Sequence, residues 1–248
     1  MTTLNRFFLF VILIICTFSN PVYSQDFWET ARQDITSPFS GDALTIFEVG
    51  GGLTLVTLLF KEAVQDDLQR DIAQKKMLKG TSKIGDFLGK TTPNIAYLLY
   101  MGGDYLLNKN ESSYKRALLM TKATLYSGAI ADVTKVIANE KRPNGGKYSF
   151  PSGHSTTAFA FSSVVMMEHS MPLGIAANAM AAFVGFSRLN DNAHYLQDVI
   201  AGATLGTMYG VGLYYAQKKR DEAALSNPSV FLLVPTKQGL TANYSISF

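Results

Sequence analysis

The stretch FPSGHSTTAF, Phe150 to Phe159, decides how the chain is read. Proline and glycine break whatever precedes it, Ser152 is a good N-cap residue, and an apolar run follows. A helix therefore begins here, with His154 in its first turn. Local grammar leaves two roles open for that ring: a structural neighbour of the cap, or a working group.

Outward from this point the apolar periodicity is helical. Six helical stretches are expected, at roughly 42–67, 93–108, 114–138, 153–170, 172–187 and 196–218. The connector from Gln65 to Thr92 is long and charged, with room for a short helix or two. Small residues recur every fourth position at Ala177, Ala181 and Gly185, and again at Gly202, Gly206 and Gly210. Residues four apart share a helix face, so both stripes predict close backbone packing and carry no chemistry. Met166, Met167, Tyr209, Tyr214 and Tyr215 read as core or groove filler. From Pro228 the period changes to two: Leu240, Ala242, Tyr244, Ile246 and Phe248 alternate, with TKQG as the turn before them. That pattern predicts a β-hairpin packed on the helical domain, since two strands cannot close a barrel.

The fold class expected is all-α, a six-helix bundle with a small C-terminal β-hairpin. Residues 1–24 read as an export signal: Arg6, the apolar core Phe7–Phe18, then Val22-Tyr23-Ser24 ahead of a cleavage site. The helical domain then covers 25–222 and the hairpin tail 223–248. Cys16 lies inside the signal, and Ile15 before it is too large for a lipoprotein site, so the mature chain carries no thiol chemistry. Charged residues are 17% of the 248 and the net charge is only +3, which gives no basic stripe for nucleic acid.

Three blocks stand in order. Lys135 is followed after six residues by Arg142-Pro143; then comes Pro151-Ser152-Gly153-His154; then Ser187-Arg188, five residues, His194, three residues and Asp198. Together they resemble the signature KxxxxxxRP, PSGH and SRxxxxxHxxxD of the type 2 phosphatidic acid phosphatase superfamily. That superfamily also holds class A acid phosphatases and vanadium haloperoxidases. The resemblance covers Lys135 to Gly202 and the helices around it. Each block is weak alone; three in order are specific.

The residue types suit phosphoryl transfer without a metal. Two guanidinium forks and an ammonium can grip phosphate oxygens, and a helix start offers N–H groups to an anion. Lys135, Arg142, Ser152, Gly153 and Arg188 are the expected phosphate-binding set. The resemblance implies that His194 is the nucleophile of a phosphohistidine intermediate and that His154 protonates the leaving group. Asp198, four residues after His194, would hold its Nδ1–H one helical turn away. His169 is expected at the surface, and Asp132 beside Lys135 either pairs with it or faces solvent. Asp191 and Asn192 are expected at the substrate mouth.

What the resemblance implies is a metal-independent phosphomonoesterase acting on a lipid phosphate or a small phosphate ester. No cofactor is expected, and vanadate should inhibit. The alternatives are a vanadate-dependent haloperoxidase on the same scaffold and a non-catalytic envelope protein. Ser170–Ser187 and Val199–Gln217 approach spanning length, whereas Lys122, Asp132 and Lys135 interrupt the third stretch. If the signal exports Gln25 and the first helix spans, the site would face the cytoplasm, opposite to the integral lipid phosphatases. The expectation is an exported, periplasmic or membrane-associated enzyme, with an integral one as the alternative.

Overall fold

The computed structural model describes residues 26–64, 69–226, 230–236 and 239–245. The expected signal at 1–24 lies outside the described residues. Helix α1 (Asp26–Thr36) falls in a separate unit from the remainder, which begins at Ser37.

The second unit opens with a 3-10 turn at Ser37–Phe39, followed by α2 (Gly41–Leu59). A charged connector follows, holding a short turn at Lys61–Ala63, α3 (Arg70–Lys75), a 3-10 turn at Lys79–Thr81 and α4 (Ser82–Leu88). The long helices are α5 (Thr92–Asn108), α6 (Glu111–Ala138), α7 (Gly153–Glu168), α8 (Met171–Asn190) and α9 (Leu196–Ser226). All six expected stretches are thus helical, but the described residues hold additional shorter helices. The first stretch stops at Leu59, not 67, because its apolar run gives way to charged residues after Phe60. The last runs on to Ser226, past 218, through a segment rich in strong helix formers. Beyond it, β1 (Val230–Thr236) pairs antiparallel with β2 (Gly239–Ser245), Val230 opposite Ser245 and Thr236 opposite Gly239.

Caps set where the helices that carry the site begin and end. Asn110 caps α6 by accepting from Ser112 N at 3.2 Å and Ser113 N at 3.4 Å, and Asn139 ends the same helix in the left-handed region at φ 44°. Ser152 caps α7, its Oγ accepting from Ser155 N at 3.4 Å.

The core joins Leu119, Met120 and Ala123 of α6 with Ala160, Val164 and Val165 of α7 and with Met208, Tyr209 and Leu213 of α9. Leu119 and Leu213 are fully buried, so truncating either to alanine should cost about 2–5 kcal/mol. Helix α9 is the centre: it packs on α7, α2 and α6. The glycine stripe makes this possible. A Cβ at Gly202 would lie 2.4 Å from Ser152 O, and one at Gly206 would lie 2.3 Å from Thr156 O. No side chain fits there, so α9 lies directly against the α7 backbone. Ala177 and Ala181 of the other stripe are buried as well. Of the expected filler, Tyr209 lies in the core, whereas Tyr215 is 41% exposed.

Packing fixes direction as well as contact. A Cβ on Gly212 would meet Ser37 O at 2.6 Å and one on Gly50 would meet Thr204, so α2 runs antiparallel to α9. The C-terminal ends of α6 and α8 meet the N-terminal ends of α7 and α9 at one end of the bundle.

Candidate active site

Helix ends supply the groups of this site because only there is the backbone free of its own ladder. By helix geometry the first N–H groups of α7 have no partner within the helix. Ser155 N is taken by Ser152 Oγ and Thr156 N by Ser152 O; the amides of Gly153 and His154 belong to the same first turn, the part of a helix that suits an anion. Ser152 itself is fully buried, its N–H donating to Asp198 O at 2.9 Å, which ties the start of α7 to the start of α9.

Lys135, in the last turn of α6, lies close to this helix start: its Cε would be 3.7 Å from a Cβ on Gly153. Its Nζ donates to Tyr148 O at 3.5 Å and to Pro151 O. Burial, with the charge of Arg142 adding to it, pulls the Lys135 ammonium down to about 8; Asp132 and Asp198 oppose that shift. Asp132 is exposed and acts on Lys135 by charge alone among the described contacts. Arg142 donates from Nε to Lys147 O at 3.1 Å and from its backbone N to Gly146 O at 2.8 Å, closing the 142–147 loop.

Arg188 arrives from the last turn of α8 and is buried. Its Nη1 meets Asp86 Oδ1 at 2.7 Å, Nη2 reaches Ser82 O at 3.4 Å and Asp191 Oδ2 at 3.4 Å, and Nε donates to Ser187 Oγ at 3.0 Å. These four contacts fix the orientation of the guanidinium. Asp191, expected at the mouth, is thus part of the Arg188 clamp, and its Oδ1 accepts from Asn190 Nδ2 at 3.0 Å.

The two histidines come from different helix ends. His194 is 1% exposed on its side chain and lies in the loop before α9, so the expected one-turn helical pairing with Asp198 is not what the structure has. Asp198 is instead the third residue of α9, reaching back: its Oδ2 accepts from Tyr195 N at 2.9 Å, the acidic half of a capping box. The same oxygen lies 3.5 Å from His194 Nδ1 and accepts from Ser149 Oγ at 2.5 Å. Burial lowers the His194 pKa, Asp198 works against that, and Arg142 adds to it.

His154 feels the same crowd. Burial first, then the Arg188 charge, pull its pKa down to about 4, with Asp86 opposing. Mutual effects tie the set together: Arg142 acts on Lys135 and His194, and His194 acts on His154. Lys135, Arg142 and Arg188 therefore surround the two imidazoles at one end of the bundle. His169, expected at the surface, is instead half-buried at the far end of α7, with Nε2 2.7 Å from Tyr97 Oη.

Three participants were invisible to motif reading. Asp86 holds Arg188, Ser149 holds Asp198, and the buried Gln69 donates from Nε2 to His194 O at 3.0 Å. For Asp86 a signal was present: Gly85 and Gly89 stand four apart around it, the spacing that marks close packing elsewhere in the chain.

A family model described as the PAP2 superfamily matches residues 97–222, just over half of the chain. The chain belongs to the PAP2 superfamily. The match runs from within α5 into α9 and contains all three sequence blocks. A lipid A 1-phosphatase of Porphyromonas gingivalis is 30% identical over 131 residues, 50% of this chain and 29% of that protein. Phosphatidylglycerophosphatase B of Bacillus subtilis is 27% identical over 146 residues, 55% of this chain and 62% of that protein. The chain thus spans less than two thirds of either relative. Among solved structures, Aquifex aeolicus LpxE superposes with a TM-score of 0.51 at 21% identity, covering 61% of this chain and 93% of that one. A transmembrane PAP2 type phosphatidylglycerolphosphate phosphatase from Bacillus subtilis gives 0.54 at 20% identity, covering 73% and 96%. At such identities the likeness is one of PAP2 fold, and that fold is helical.

Proposed function

We propose that this PAP2 protein is a metal-independent phosphatase that hydrolyses a lipid phosphate monoester through a phosphohistidine on His194. The observation that carries the reading is the convergence of Lys135, Arg142 and Arg188 on two imidazoles, His194 buried and His154 half-buried, where four helix ends meet. Phosphoryl transfer asks a protein mainly to position the group and to stabilise charge on its oxygens. Three cations and the first-turn amides of Gly153 and His154 supply that. As the His194 Nε2–P bond forms, the P–O bond to the leaving group breaks, and its electron pair goes to the departing oxygen. That oxygen takes its proton from His154. Water then cleaves the phosphohistidine. Asp198 favours the tautomer that keeps Nε2 of His194 unprotonated.

A lipid leaving group is supported by the exposed apolar surface of the helices that carry the site. Val133, Val136 and Ile137 of α6 are exposed, as are Ile84 and Phe87 of α4. Such surface suits a substrate with a polar head and an apolar tail. Helices α2 and α8 are long and apolar enough to cross a membrane, and α2 leaves Phe47, Val49, Leu53, Leu55, Val56 and Leu59 exposed. We read the protein as exported and membrane-associated, with α2 against lipid.

The test is phosphate release from lipid and water-soluble monoesters, with and without EDTA and with vanadate. Turnover that survives EDTA, stops with vanadate and favours acyl-bearing substrates is expected. Metal-dependent turnover, or none on any ester, would overturn the proposal.

A further inference from the structure

The wall of the site opposite the motif residues is α4, and it is built to come close. A Cβ on Gly85 would lie 2.5 Å from Ser187 Cβ, and one on Gly89 would lie 2.7 Å from Val184 Cγ1 and 2.8 Å from His154 Cβ. Two glycines one turn apart therefore seat this short helix directly on α8 and on the first turn of α7. Between them stands Asp86. Its Oδ1 is 2.7 Å from Arg188 Nη1 and 3.2 Å from His154 Nε2, and its Oδ2 is 3.0 Å from Lys90 Nζ. The bonds to Lys90 and Arg188 outweigh the effect of burial and keep this carboxyl ionised. His154 Nε2 is buried and makes no hydrogen bond among the described residues, so a carboxylate held by two cations faces an orphaned ring nitrogen.

We propose that Asp86 is a positioning residue for the proton-transfer step, acting through His154. The phosphatase reading above is its premise. The difficulty it answers is electrostatic. A leaving alkoxide needs a proton, yet His154 stands among Arg188, His194 and Lys90, all of which drive protons off it. Asp86 is the charge that opposes them, and its bond to Arg188 keeps that guanidinium turned toward the carboxylate. No proton leaves Asp86 in this scheme. The proton moves from His154 Nδ1 to the departing oxygen as the P–O bond breaks, and the carboxylate at Nε2 stabilises the imidazolium beforehand.

A residue that acts through the general acid betrays itself by its dependence on the leaving group. Wild type and Asp86→Asn are compared on an alkyl phosphate, whose alkoxide must be protonated, and on p-nitrophenyl phosphate, whose phenolate departs unaided. Asp86→Asn should lower kcat on the alkyl ester by roughly 10²-fold, the low end of what general acid catalysis contributes, and on the nitrophenyl ester far less. The alkaline limb of kcat should also move to lower pH, because loss of the carboxylate favours neutral imidazole. Asp86→Glu, which keeps the charge, should recover part of the selectivity. Equal losses on both esters, or no loss on the alkyl ester, would overturn the inference and leave Asp86 as a clamp for Arg188. Should the wild type hydrolyse neither ester nor any lipid phosphate, the phosphatase reading itself is what fails.

Discussion

Helix α7 carries a histidine at each end, and the two rings live differently. Both have pKa values lowered chiefly by burial. His169 meets the hydroxyl of Tyr97, and the nearby Arg116 is paired with Glu168 at 3.1 Å, so charge there is locally settled. His154 meets Arg188, Lys90 and His194 together with one carboxylate, beside Lys135 and Arg142 at the same helix end. Around this ring the cations Arg188 and Lys90 stand against the single carboxylate of Asp86, and an anion is the natural complement. A histidine becomes a working group when the charges about it are gathered and left unsettled; burial alone does not do it.

The largest expected effect breaks or keeps that contrast at once. His194→Ala should abolish phosphate release, on the order of 10³-fold or more, since no other group at the site is placed to replace the nucleophile. His169→Ala should leave turnover within about twofold. Near-wild-type turnover in His194→Ala, measured by phosphate release, removes the nucleophile assignment.

Next comes the support beneath His194. Asp198→Asn should cost roughly 10²–10⁴-fold in kcat by releasing the imidazole tautomer. Ser149→Ala should cost less, about tenfold, because Tyr195 N still holds the same oxygen. If both variants turn over like wild type, the buried carboxylate serves only to cap α9.

A pH profile sharpens the comparison. The folded pKa of Lys135 is depressed to about 8, so its ammonium is lost as pH rises through that value. The grip on phosphate weakens accordingly, and KM should climb above about pH 8. Lys135→Arg should remove that limb, since arginine stays charged. For stability the sign is opposite. His154 has a folded pKa near 4, well below the ordinary histidine value of about 6.5, so the unfolded chain binds the extra proton. Stability is full above about 6.5 and declines as pH falls toward 4, by up to ~1.4 kcal/mol per pH unit from this residue. Denaturant midpoints at pH 7 and pH 5 measure it.

The smallest effects are packing effects. Gly206→Ala sets a methyl against Thr156 O and should destabilise by about 1–3 kcal/mol while shifting α9 from α7. His169→Phe should cost about 1 kcal/mol, the hydrogen bond with Tyr97, without touching kcat. If His169→Phe instead slowed catalysis more than Gly206→Ala, the two ends of α7 would be coupled and the contrast drawn above would dissolve.

Residues close in sequence were legible. Ser152 announces a cap for the helix that follows, and the stripe Gly202, Gly206, Gly210 announces a close neighbour, because both act through spacing along one helix. The spacing of His194 and Asp198 was legible as a pair but not as a geometry: four residues mean one turn only inside a helix, and His194 lies before α9 begins.

What the chain determined unaided was the order of its helices, their polar starts and the chemical types gathered in three blocks. What the tertiary structure alone decided was which carboxylates those types meet. Asp86 reaches Arg188 across 102 residues and Ser149 reaches Asp198 across 49. Neither pairing has a local period: Gly85 and Gly89 let α4 approach until Asp86 touches Arg188, and Ser149 meets Asp198 from the loop before α7. Local propensity governs elements, whereas the identity of a partner across the bundle is a property of packing.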